Sequence, residues 1–274
     1  MAHSDTPSSE LPPPARQPRR GFPTARNVTA LVLREMSTRY GRTPGGYMWS
    51  VLEPLFAILV LSVGFSLLLR SPSLGTSFLL FYATGYLILN LYMTLANPIM
   101  RSIQFSSSLL RFPAVSWIDA VMARFLLNSM TGIITMVLLF TVILSLVETR
   151  TVLSLTPIVE ATLLAMLLGL GVGVLTLTPA GLYPLFNVVW SVLTRPLMIM
   201  SGIIYTYEDL PTFAQNILWY NPLIHLTGLM RTGFYPTYSP TYISFPYVIF
   251  FSIIALAFGL VLSSRYHREV QAAL

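Results

Sequence analysis

The stretch FLLNSMTGIITMVLLFTVILSLV, from Phe125 to Val147, runs 23 residues without one charged side chain. Crossing the roughly 30 Å hydrocarbon core of a bilayer takes about 20 such residues as a helix. Working outward, five more stretches have the same character: Val51–Leu69, Phe78–Met100, Pro157–Thr178, Leu182–Tyr207 and Ile243–Leu262. Three of the six hold a single charge each: Glu53, Glu160 and Arg195. Lipid offers no water to satisfy backbone N–H and C=O groups, so spans of this kind form helices. The strands of a β-barrel would be segments of about 10 residues alternating in polarity, and these runs are longer and uniformly apolar. The expected fold is all-α: a polytopic membrane protein with six transmembrane helices. Pro179-Ala180-Gly181, between the fourth and fifth stretches, reads as a tight helical hairpin.

Composition agrees. The chain is 54% hydrophobic and 9% charged, where a soluble domain carries about 25% charged residues. With no cysteine there is no disulfide framework, thiolate nucleophile or Cys-type metal site. The net charge of +6 comes from arginine alone, because the chain contains no lysine. A phosphate-binding P-loop needs its lysine, so this chain cannot build one. If ATP drives it, another subunit holds the ATP. The arginines flank apolar spans, which points to membrane topology rather than nucleic acid. With the N-terminus inside, Arg16, Arg19, Arg20, Arg26, Arg34, Arg39, Arg42, Arg101, Arg111, Arg124, Arg265 and Arg268 are cytoplasmic, and Arg70, Arg150 and Arg231 lie outside. That bias places both termini in the cytoplasm.

Residues 1–26, rich in Pro, Ser and Arg, read as a disordered cytoplasmic tail. Residues 27–268 read as a single transmembrane domain, and 269–274 as a cytoplasmic end. Within the domain, Asn27–Tyr40 has helical periodicity, with Val28, Val32, Leu33, Met36 and Tyr40 on one arc. It reads as a helix lying flat at the interface or, alternatively, a short solvated helix. Glu208–Tyr242 is a long outer segment with amphipathic pieces at Phe213–Tyr220 and Leu223–Phe234, expected to rest on the outer membrane face as short helices. No catalytic constellation is present: His3, His225 and His267 are scattered, and no paired carboxylates or metal-ligand spacing accompanies them.

The most specific motif is RYGRTPGGYMWSVLEP, from Arg39 to Pro54, followed by Leu110-Arg111-Phe112-Pro113 and by Tyr220-Asn221-Pro222-Leu223-Ile224-His225 with Arg231. These resemble the corresponding stretches of type-2 ABC exporter permeases for surface polysaccharides, and within that group the capsular polysaccharide export (KpsM-type) family. The resemblance covers about Arg26 to Arg268. Gly228 departs from it, because an acidic residue is expected there; a salt bridge from position 228 to Arg231 is therefore not available. Read physically, Glu53 and Pro54 suit the first turn of a helix, and Tyr47 and Trp49 suit the headgroup level.

The resemblance implies a permease subunit, not an enzyme, at the bacterial inner membrane. It also implies a homodimer working with a separate ATPase that binds ATP and Mg. A periplasmic polysaccharide co-export protein and a lipid-linked polysaccharide are further implied partners. Another lipid-linked glycan (O-antigen, teichoic acid), a small molecule, or a non-transporting scaffold role stay open. The resemblance also implies a coupling helix at Arg101, Gln104, Phe105, Leu109, Leu110, Arg111 and Phe112, with the apolar side chains as anchors and the arginines as charge; the alternative is a solvated loop. Tyr40, Arg42, Tyr47, Trp49 and Glu53 would form the interface-helix and gate region. Arg195, mid-span, is either a cationic contact for an anionic substrate or a structural partner for a carboxylate or for carbonyls freed by Pro196. Tyr82, Tyr86 and Trp190 line a sugar path or belong to ordinary aromatic packing; Tyr92, Tyr183 and Phe186 share that reading.

Overall fold

The computed structural model describes residues 23–40, 46–110, 115–147, 153–273. Among these, five helices are long and apolar enough to cross a membrane: α2 (Gly46–Ser66), α3 (Phe78–Met100), α6 (Trp117–Leu146), α7 (Leu155–Leu182) and α12 (Phe245–Ala272). Helix α1 (Pro23–Tyr40) precedes them. The short α4 (Ser102–Phe105) and α5 (Ser107–Leu110) follow α3. Among the described residues every regular element is a helix, as the apolar runs require.

Side chains that satisfy orphan N–H groups set the helix starts. Ser77 accepts from Leu80 N at 3.3 Å to open α3. Ser116 and Asp119 form a reciprocal capping box at the head of α6, with bonds of 3.2 and 3.0 Å. Helix α2 already runs from Gly46, so Glu53 and Pro54 lie two turns inside it rather than in its first turn, and Glu53 does not face a helix N-terminus.

The hairpin expected at Pro179–Gly181 is absent. Helix α7 continues through Pro179 to Leu182, and the chain breaks at Tyr183, where Pro184 starts the next helix. The fifth apolar stretch is itself divided. It forms α8 (Pro184–Thr194) and α9 (Leu197–Met200), with the hydrogen-bond ladder interrupted at Arg195-Pro196 while the backbone there stays right-handed helical. Pro196 lacks the N–H that would continue the ladder.

Helices α3 and α7 form the centre, and α6, α12 and α11 (Pro222–Phe234) surround them. Glycines set the α7–α12 spacing. A Cβ on Gly171 would stand 2.5 Å from Ser252 O, and one on Gly259 2.5 Å from Leu175 N. Gly169 and Gly173 turn instead to α3, against Leu95 and Ile99. Without a hydrophobic driving force in lipid, close backbone approach through small residues holds such helices together.

The outer segment departs most from its expectation. The short α10 (Thr212–Leu218) has no buried residue, but α11 sinks into the bundle, buried along nearly its whole length between α3 and α7. Helix α12 runs past the sixth apolar stretch to Ala272, across the boundary expected at 268–269, and its Val270 is buried against Gly181.

Candidate functional site

The end of the bundle bearing α1, α4 and α5 gathers most of the residues singled out as functional. Helix α1 is docked on α6 rather than lying alone. Val28 and Leu31 are buried with Ala123, and Val32, Leu109 and Met122 close around them. One turn on, Glu35 receives Arg124 at 3.0 Å in a largely buried ion pair. Leu31, off the expected apolar arc, thus faces the protein, while Leu33, on that arc, is 63% exposed. The helix has two apolar sides, one toward α6 and one outward.

Helix α3 ends at Arg101, and α4 folds back beneath the bundle with Ser102 and Ile103 buried. Gln104 donates from Nε2 to the carbonyl of Ala180 at 3.2 Å. Asn187, on α8, donates to the same carbonyl at 3.0 Å. That oxygen is available because its regular helical partner would be the N–H of residue 184, a proline. Phe105 is 62% exposed and lies under the Arg124 guanidinium, 4.7 Å from the ring centroid. Arg101 is exposed as well. Leu109 and Leu110 are half-buried: Leu109 packs toward α1 and Leu110 toward the main core. Arg42, Arg111 and Phe112 lie outside the described residues, as does the side chain of Tyr40, the last residue of α1. Tyr47 and Trp49 stand exposed at the head of α2, with Glu53 exposed further along it.

The residues considered for a sugar path do not gather on one surface. Tyr82 is buried in the core among Phe65, Phe78 and Phe81. Tyr86 is half-buried and Tyr92 buried. Trp190 is pinned to α3 by a 3.0 Å bond from Nε1 to Asn97 Oδ1, with Phe186 stacked on it. Arg195 is exposed at the α8–α9 junction and makes no hydrogen bond or ion pair with any described residue.

Arg231, read in the sequence as an outer-face charge and as part of the Tyr220–Arg231 motif, is among the largest fully buried side chains of the described residues. It donates to Tyr205 O at 2.8 Å and Ile203 O at 3.0 Å, and lies 4.1 Å above the Phe81 ring. Carbonyls and a ring thus take the place of an acid at position 228, where a Cβ would collide with the Tyr242 hydroxyl. His225 is satisfied on both sides. Ser244 N–H donates to Nδ1 at 3.2 Å, so Nε2 carries the proton and donates to Trp219 O at 2.8 Å. Burial pushes its pKa below the ordinary histidine value, against the pull of those hydrogen bonds. On the same face, burial tends to raise the Asp209 pKa, but hydrogen bonds from Thr206 and Ser73 prevail and hold it below the usual carboxylate value. The signal for this outer cluster was the Asn221-Pro222…Arg231 run itself.

Comparison with known proteins gives the arrangement its context. The ABC-2 type transporter family profile matches residues 26–235. The polysialic acid transport protein KpsM of Escherichia coli is 27% identical over 245 residues, spanning 89% of this chain and 95% of that protein. The capsule polysaccharide export inner-membrane protein CtrC of Neisseria meningitidis is 26% identical over 246 residues, 90% of this chain and 93% of that protein. BexB of Haemophilus influenzae, of the same description, is 25% identical over the same share of each. With most of its length inside the matched region, this all-helical membrane chain belongs to the ABC-2 type transporter family.

Proposed function

We propose that the chain is the membrane-spanning subunit of an ATP-driven exporter that moves a lipid-linked capsular polysaccharide outward across the inner membrane. What carries this reading is similarity along nine-tenths of the chain to KpsM and CtrC, whose names specify polysialic acid transport and capsule export. Both termini are cytoplasmic, two copies enclose the path, and a separate ATPase binds ATP and Mg. A periplasmic co-export protein receives the polymer. Residues 1–26 are the tail, and 27–268 the transporting domain.

Within the described part of the Arg101–Phe112 segment, Leu109 and Leu110 pack inward, and Phe105 and Arg101 are presented to a partner. Gln104 serves the permease itself, tying that surface to α7. ATP-driven closure of the ATPase pair would push α4 and, through it, the α7–α8 break. Arg195, at the break dividing the fifth apolar stretch, is the cationic contact offered to an acidic polymer or lipid phosphate.

Deleting the gene in the source organism tests the cargo. Loss of acidic surface polysaccharide with build-up inside the cell is the expected result. An unchanged surface polymer in a strain with no second exporter overturns the reading. In the complemented strain, Phe105→Ala is expected to lower export on the order of tenfold, as truncation of an interface anchor does, with the membrane level of the protein unchanged. Normal export by that variant removes Phe105 from the coupling surface.

A further inference from the structure

Two opposite charges stand inside the apolar stretches, both on lightly packed helices. Glu53 is exposed on α2 and Arg195 at the end of α8, and neither makes an ion pair with a described residue. A charge at membrane depth is costly, and such side chains pair with one another or face water.

Helix α3 serves as a ruler for their depth. Phe65, near the end of α2, meets the Tyr82 ring near the start of α3, with centroids 5.5 Å apart. Trp190 of α8 bonds Asn97 near the other end of α3 at 3.0 Å. Further along the fifth stretch, Ile203 sits against Gly85, where a Cβ would stand 3.0 Å from the Ile203 Cα. Both α2 and the fifth stretch therefore run antiparallel to α3, and parallel to each other. At about 1.5 Å per residue, Glu53 lies roughly 18 Å from Phe65, level with Thr94, and Arg195 roughly 7.5 Å from Trp190, level with Tyr92. The two charges share one depth to within about a helical turn.

Each charge also belongs to an exposed stripe. On α2, Trp49, Glu53, Phe56, Val60 and Val63 recur at steps of four and three. On α8 and α9, Leu185, Val188, Val192, Arg195 and Ile199 do the same. The register carries through the break, because Arg195 and Pro196 keep helical φ values of −60° and −67°. Steps of four and three form the seam along which one helix packs on another. At the far end of the α2 stripe, Gly64 has open space where a Cβ would be, and small residues let helices approach closely in lipid. A twofold axis along the membrane normal sets α2 of each copy against α8 of the other, so the seam occurs twice.

We infer that Glu53 of one copy pairs with Arg195 of a second copy, twice in each dimer, closing the α2 stripe on the α8–α9 stripe. This rests on the two-copy reading above and deepens it: the Arg195 guanidinium is held by a carboxylate until an anionic group of the cargo exchanges for it.

The test uses full-length chains with different affinity tags, released from vesicles into native mass spectrometry. Arg195→Glu sets acid against acid at both seams of its own dimer, and Glu53→Arg sets guanidinium against guanidinium. Each variant alone is expected to lose the two-copy species about tenfold, because like charges across an interface are costly. Co-expressing the two variants matches acid with guanidinium at both seams, so the mixed dimer should recover to within about twofold of the unchanged chain. Both substitutions in one chain swap the charges and should recover as well. Where a reversal prevents insertion, Glu53→Gln serves, with an expected loss of about fivefold. Variants that self-associate normally overturn the inference. So do variants that fail alone and when mixed; if the doubly substituted chain then associates, the pair lies within one copy. A monomeric unchanged chain removes the two-copy reading and the pair together, whereas a dimer indifferent to these charges removes only the pair. Neither cargo nor ATPase enters the measurement.

Discussion

Helices α3, α7 and α12 meet through glycine backbones, whereas α2 and α8 touch the bundle along narrow edges. In α2 only Pro54 and Ile58 are buried, and in α8 no residue is. Yet α8 is apolar around most of its circumference, with Leu185, Val188, Val189, Val192 and Leu193 all exposed. The difference teaches that the chain spends its close packing on one side and leaves apolar helices on the other for lipid or a second copy. A firmly joined core can keep its shape while edge helices change their neighbours.

The sharpest way to break this contrast is to enlarge a glycine at the firm side. Gly259→Leu places a side chain where Leu175 N would stand 2.5 Å from the new Cβ, so α7 and α12 must separate. The expected cost is about 3 kcal/mol, the upper end of overpacking, with little folded protein recovered from detergent. Val189→Leu on α8, in contrast, should lie within about 0.5 kcal/mol of the unchanged chain. Equal losses for the two substitutions would erase the distinction.

A smaller effect is expected at Arg231, which joins α11 to the end of the divided fifth stretch. Arg231→Met refills part of the apolar volume but strands two carbonyls. A loss of about 2 kcal/mol in thermal or denaturant unfolding follows from the worth of charged hydrogen bonds. An unchanged midpoint would mean that α11 is held by packing alone.

The smallest effect comes from pH. His225 has its pKa lowered by burial, so between that value and the ordinary value of about 6.5 the unfolded chain binds a proton that the folded chain does not. Stability is then full above the ordinary value and declines as pH falls through it toward the folded value. Trp219 and Tyr247 pack on the imidazole, so a tryptophan-fluorescence melt at mildly acid and at neutral pH measures the decline. His225→Gln should flatten it; a slope that persists in the variant locates the titration elsewhere.

The long apolar runs made the helical membrane fold legible in the sequence. The division of the fifth stretch was not, because hydropathy reports composition and not continuity: Arg195-Pro196 was visible, but a proline can kink a helix without ending it. The depth of α11 was hidden by Arg231 itself, whose charge suggests a surface. Its burial depends on the carbonyls of Ile203 and Tyr205, more than twenty residues away. In the Arg101–Phe112 segment the resemblance implied a docking helix, but which leucines face inward is decided by α1 and the core, not by local pattern.

One atom, the carbonyl oxygen of Ala180, carries a mechanical consequence. A carbonyl has two lone pairs, and here one is taken by Gln104 from α4 and the other by Asn187 from α8. The oxygen works as a hinge pin through two plates. Hydrogen bonds weaken steeply with misalignment, so a slide of α4 by a fraction of its own diameter must either carry the head of α8 along or snap one of the two links. Proline at position 184 thus does more than stop a helix: by withholding one N–H it creates the bearing on which two moving parts share an axle.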